Sequence, residues 1–156
     1  MSKSQAPFFV DREVIVLTQN GVWMADGTEI THEPTRRLFA KSLKKDQEGY
    51  FLQIGRETKK IHVEDTAYFV IRIDGDSSQG YQLLLNDETT EPLVPESLLY
   101  KPGRLTCKIK SSQEEAKFLH APYFDLMKTL TEDETSYYLE LGTSLHLKKI
   151  KLANKS

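Results

Sequence analysis

Residues 59–65 read KKIHVED, which sets His62, Glu64 and Asp65 within four positions behind a lysine pair. A histidine among carboxylates is the composition of a general acid–base pair or of part of a metal site. Strand geometry divides the group, however. Side chains alternate along a strand, so Ile61 and Val63 face one way and Lys60, His62 and Glu64 the other. The same stretch therefore also reads as a half-exposed strand running into a turn. A metal site would need ligands from elsewhere, and the other histidines are His32, His120 and His146. None forms an H-x-E-x-x-H cluster or a Cys/His finger, so no metal and no cofactor is expected. The enzyme reading is a hydrolase or metal-dependent enzyme using His62, Glu64 and Asp65 with a distant His120 or Asp125.

Other stretches carry weaker signals. DGDSSQG at 74–80 spaces Asp74, Asp76 and Ser78 by two, like a calcium loop, but position six is Gln79 and position twelve is Leu85. An EF-hand needs Gly and Glu there. The Gly-Asp-Ser triplet also lacks the strand–turn–helix elbow of a serine hydrolase, which leaves a plain loop between strands. No phosphate loop or dinucleotide fingerprint is present. Cys107 sits with Leu105 and Ile109 on the apolar face of an alternating run, RLTCKIK, where a thiol is inert. Arg36, Arg37, Lys41, Lys44 and Lys45 would form a basic helix face. It is read as solvated or, as a weaker option, as a surface for an anionic partner. Tyr50, Tyr68, Tyr123, Tyr137 and Tyr138 read as core residues with a wet tip.

The elements that would position these residues follow from periodicity and punctuation. Val14 to Leu17 is a β-branched run ahead of Asn20-Gly21, a hairpin signal. Pro34 suits the first turn of a helix that continues through Lys45, and Gly49 can end it. Strands are expected at 50–55, 59–63, 67–73, 81–85 and 104–110. A second helix is expected from Pro122, carrying Phe124, Leu126, Met127 and Leu130. Strands at 137–142 and 148–152 complete the chain, with a loose tail over residues 1–6.

The end of the chain echoes its middle. A Pro-started helix, an aromatic strand ending in glycine (YFLQIG, YYLELG) and a Lys-Lys-Ile strand (KKIHV, KKIKL) recur in one order at a spacing of 87 to 89 residues. The second copy replaces His62 by Lys151 and keeps the apolar face. This predicts an α+β fold. Two small lobes would be built from a repeated helix–strand–strand motif around mostly antiparallel sheet, with an N-terminal lobe at 1–88 and a C-terminal lobe at 89–156.

Bulk properties narrow the class. The chain has 156 residues, 38% of them hydrophobic, enough for one compact domain or two small ones. Its 21 basic and 23 acidic residues give a net charge of -2, which carries no signal for nucleic acid. One cysteine allows no internal disulfide, which fits a reducing compartment. No secretory signal or membrane-spanning stretch is seen, so a cytoplasmic protein is expected.

Several stretches resemble one family throughout Gly21 to Leu152: GVWMADGTEI, RRLFAKSL, GYFLQIGRETKKIHVEDTAYFV and HAPYFDLM. The most specific are Gly49-Tyr50-Phe51-Leu52, Ile61-His62-Val63-Glu64-Asp65 and Tyr68-Phe69-Val70. They are similar to domain of unknown function (DUF) family 1285, small proteins of Gram-negative bacteria. Where that pattern often has Ala-Pro-Phe after the aspartate, this chain has Thr66-Ala67-Tyr68. The resemblance implies an α+β fold with repeated motifs, two small lobes and a ligand-binding or signalling role. It implies no catalytic residues. The leading expectation is a non-enzymatic module, as a homodimer, that binds a small molecule or a protein partner between its lobes. Tyr50, Arg56, His62, Glu64, Asp65 and Tyr68 are the candidate residues.

Overall fold

The computed structural model describes residues 8–10, 12–143 and 146–155, with backbone alone for 142–143 and 146–148. The expected tail over residues 1–6 and the side chain of His146 lie outside the described residues. The chain divides into two compact units, Met1–Ala67 and Tyr68–Ser156. The sequence reading placed its division at 88/89, one hairpin further along.

The first unit runs β1 (Ile15–Leu17), β2 (Trp23–Ala25), β3 (Thr28–Glu29), α1 (Glu33–Lys41), β4 (Leu43–Asp46), β5 (Gly49–Ile54) and β6 (Glu57–Val63). These strands form one sheet in the order β3-β2-β1-β6-β5-β4. Two antiparallel meanders, β1–β3 and β4–β6, are joined where β1 runs parallel to β6, with Ile15 beside Ile61 and Leu17 beside Val63. The Glu64 N–H extends that seam by donating to the Leu17 carbonyl at 3.0 Å. Ile15, Leu17 and Leu52 are fully buried. Trp23 meets the Phe39 ring of α1 edge-on at 5.4 Å, and Phe9 adds a third ring at 6.2 Å. Each buried aromatic stabilises by about 1.5–3 kcal/mol.

α1 is shorter than its sequence suggests. It ends at Lys41, where Ser42 turns its hydroxyl to the Leu38 carbonyl at 2.6 Å and its N–H to Phe39 at 3.0 Å. A serine bonding back to the i−4 carbonyl competes with helix continuation. Lys44 and Lys45 therefore belong to β4, and the expected five-residue basic helix face is split between two elements.

The second unit runs β7 (Tyr68–Asp76), β8 (Gly80–Leu85), β9 (Thr90–Pro92), a 3-10 turn (Pro95–Ser97), β10 (Leu99–Lys101), β11 (Arg104–Ile109) and β12 (Glu114–Phe118). It continues with α2 (His120–Met127), β13 (Leu130–Glu132), β14 (Ser136–Thr143) and β15 (His146–Asn154). Its larger sheet has the order β10-β11-β12-β7-β8-β9. This is the topology of the first unit: two meanders joined by one parallel pair, β7 beside β12. Leu119 N–H closes this seam on the Val70 carbonyl at 3.0 Å, as Glu64 does in the first unit. α2 packs against β7, and β13-β14-β15 form a separate antiparallel sheet.

The expected α+β architecture is thus corrected. Strand makes up 51% of the structure and helix 14%, so it is a mostly-β fold with three sheets and not a helix–strand repeat. The two KKI strands also pair differently. Lys59 sits opposite Leu52 in β6, whereas Ile150 sits opposite Leu139 in β15, a slip of two positions between the matched segments. One segment joins a six-stranded sheet and the other a three-stranded one, so likeness of local sequence does not become likeness of lobe.

Candidate functional site

The strand carrying His62 shows the burial alternation that its sequence predicts. Glu57, Lys59, Ile61 and Val63 are half-buried, while Thr58, Lys60 and His62 are exposed. His62 lies beside Val16 across the parallel seam. Glu64 follows β6, and its Oε1 accepts the Gln19 N–H at 2.9 Å, which fixes the β1–β2 turn. Asp65 is exposed next to it.

The other candidates lie elsewhere. Tyr50 on β5 lines a shallow hollow of about 180 Å³ with Asp46, Glu48, Gly49, Phe51, Thr58 and Lys60. The Lys45 ammonium stands 5.2 Å from the Tyr50 ring centre. The Glu48 carboxylate, ion-paired to Lys60, holds that amine above its ordinary range. Arg56 lies in the exposed turn at the far end of the β5–β6 hairpin, six residues and so about 20 Å along the strand from Tyr50. Tyr68 opens β7 in the second unit. There it is buried, with the Lys110 ammonium 4.9 Å from its ring and that ammonium paired to Asp87 at 2.9 Å. Burial, with Glu114 and Asp87 nearby, pushes the Tyr68 phenol up to about 12. These contacts support packing and charge pairing.

His120 and Asp125 both belong to α2. The His120 ring meets Phe124 edge-on at 4.6 Å, and Asp125 pairs with Lys128 at 3.3 Å. Among the described residues no three His, Cys, Asp or Glu side chains gather as a metal-holding group. Cys107 is buried in β11. Loss of water contact, with Glu91 and Glu115 adding to it, pushes its thiol up to about 12, so it is not a nucleophile near neutral pH. The 74–80 stretch is a hairpin loop in which Asp76 Oδ1 accepts the Ser78 and Gln79 N–H groups at 3.0 and 2.7 Å.

A larger concavity than the hollow beside Tyr50 lies in the second unit, and it is built from residues not among the six candidates. Tyr100 of β10, Tyr123, Phe124 and Met127 of α2, Leu130 of β13, Tyr137 of β14 and Leu152 of β15 line a cleft of about 350 Å³. That volume is within the range of small-molecule sites. The expected second helix was to carry Phe124, Leu126, Met127 and Leu130; α2 ends at Met127, Leu130 opens β13, and of the four only Leu126 is buried. Phe124 is 53% exposed and Leu130 42%. The helix is short and carries apolar residues on more than one side. Its excess apolar surface was the available signal.

The rings in the cleft are fixed by their neighbours. Phe124 meets Tyr123 edge-on at 5.5 Å. Burial raises the Tyr123 phenol above its ordinary range, and the adjoining Tyr100 phenol adds to the rise. The Lys155 ammonium stands 5.4 Å from the Tyr137 ring and pairs with Glu132 at 3.0 Å. The cleft therefore offers aromatic faces, a thioether and phenol hydroxyls, with no ionised side chain among the described residues of its lining.

Comparison with known proteins bears on the family. Residues 4–66 match the model for the N-terminal domain of the domain of unknown function DUF1285. The fold is similar to that of a DUF1285 family protein from Silicibacter pomeroyi, with a TM-score of 0.64 and 15% identity over 89% of this chain and 80% of that one. It is also similar to a DUF1285 family protein from Shewanella baltica, with a TM-score of 0.58 and 16% identity over 76% of this chain and 94% of that one. Comparison with curated proteins gave no match. The DUF1285 resemblance read from the sequence holds: in sequence for the N-terminal segment, and in fold for most of the chain. No described helix is long and apolar enough to cross a membrane.

Proposed function

We propose that this chain is a bacterial, cytoplasmic, non-enzymatic module whose second unit binds a small molecule. The cleft lined by Tyr100, Tyr123, Phe124, Met127, Leu130, Tyr137 and Leu152 carries the reading. A concave, mostly apolar site with a few convergent hydroxyls is the usual form of a binding pocket. The residues that could supply acid–base chemistry are engaged differently: Glu64 holds a turn, and Asp125 pairs on the surface. Binding without chemistry is the reading this lining supports, because among the described residues it brings together no carboxylate, imidazole, thiol or amine.

A thermal-shift screen with small uncharged aromatic compounds tests this reading. A compound bound at a hundred times its Kd stabilises the protein by about 2.7 kcal/mol. Met127→Trp, which fills the cleft from a half-buried position, is expected to abolish that shift while leaving the unliganded melting temperature close to wild type. Stabilisation that survives Met127→Trp would place binding elsewhere.

A further inference from the structure

The lining of the cleft also defines a chemical class of ligand, an inference that rests on the reading above. Of seven lining residues, four present aromatic rings and three present aliphatic or thioether groups. Beside the cleft, Lys128 pairs with Asp125 and Lys155 with Glu132. A charged ligand would give up its hydration and find no opposite charge among the described lining residues, a cost that apolar contact does not offset, and the ring faces return to a cation only about 0.5–2 kcal/mol. Aromatic walls favour a flat partner, since rings pack edge-to-face or offset and a thioether packs well against a ring. The polar capacity of the described lining is limited to phenol hydroxyls, and Tyr100 and Tyr123, both in the lining, offer donor and acceptor capacity to one further hydroxyl or carbonyl.

We infer that the cleft selects an uncharged, planar aromatic molecule bearing a single hydroxyl or carbonyl that joins the Tyr100–Tyr123 pair. Phe124 and Leu130, both well exposed, form the lip over which such a molecule enters. The flat body lies against Tyr137 and Met127, and its polar edge turns to these two hydroxyls.

Methionine methyl spectra of the full chain, labelled with carbon-13, test this with three probes of one body: 2-naphthol, 1-naphthalenesulfonate and 2-naphthylmethylammonium. Met127 lines the cleft and Met24 lies on β2, so one methyl reports binding and the other reports general change. The expected result is a saturable shift of the Met127 methyl with 2-naphthol, Met24 unmoved, and affinities at least tenfold weaker for both charged probes. Tyr123→Phe removes one hydroxyl and is expected to weaken 2-naphthol about two- to tenfold. An unliganded Met127 methyl that keeps its wild-type position checks that this variant keeps the fold of the second unit, and Tyr100→Phe repeats the test from the other side of the pair. Equal binding of all three probes at Met127 would overturn the ligand class and leave the proposed binding function standing. No Met127 shift with any probe, beside a positive thermal screen that Met127→Trp abolishes, would do the same. No shift and no thermal response would overturn both. A Met127 methyl that moves with protein concentration alone would show a second copy filling the cleft, and would also overturn both.

Discussion

At the scale of single residues, the cluster with the strongest chemical appearance has a structural role that its spacing conceals. Glu64 sits one position past β6, with its N–H on the Leu17 carbonyl and its carboxylate on the Gln19 N–H. Glu64→Ala should therefore destabilise the first unit by about 0.5–1.5 kcal/mol in urea unfolding. His62→Ala, at an exposed strand position, should change stability by no more than about 0.5 kcal/mol. Equal losses for the two variants would contradict these assignments. In the second unit Asp133 accepts the Thr135 and Ser136 N–H groups, both at 2.8 Å, and these bonds hold its carboxyl down at about 2. A depressed carboxyl contributes its stability fully above the unfolded value near 3.8, and loses it as pH falls through about 2. Urea midpoints measured from pH 5 to pH 2 should thus fall more steeply for wild type than for Asp133→Asn; parallel curves would contradict it. The alternation of His62 and Glu64 was legible in KKIHVED. The partner of Glu64 was not, because Gln19 lies 45 positions away and no local pattern names it.

At the scale of elements, period-two alternation and turn residues located most strands, including the RLTCKIK strand with its buried Cys107. The end of α1 and the existence of β4 were missed, because LKK continues a helical pattern as readily as it starts a strand and Ser42 decides between them. The β7–β8 hairpin shows turn chemistry at work. Gly75 has φ +113°, and a Cβ there would collide with the Gly80 carbonyl oxygen. Gly75→Ala should cost about 1–3 kcal/mol, read as a lower unfolding midpoint. Gly103→Ala tests the conformational cost alone, since its φ is +75° and nothing stands within 4 Å of the added carbon. A larger loss at Gly103 than at Gly75 would show the close approach to be unimportant. β15 carries Lys149 and Lys151 along the outer strand of its sheet, a placement that discourages pairing with other chains.

At the scale of the whole molecule, the sequence pointed to a repeat of helices and Lys-Lys-Ile strands, whereas the shared pattern lies in the two six-stranded sheets. In each, a first meander and a second meander meet through one parallel pair, β1 with β6 and β7 with β12. Strand partners separated by more than forty residues are selected by tertiary packing, which leaves little trace in local residue order. The same reason hid the cleft. Its walls come from five elements between Tyr100 and Leu152, and only their folding together makes a binding shape from ordinary apolar residues. Native mass spectrometry of the protein purified from its own cells, wild type beside Met127→Trp, tests the binding function most directly. The account predicts a small bound mass on the wild type that leaves on gentle activation and is absent from Met127→Trp. A bound mass retained equally by both proteins would contradict it.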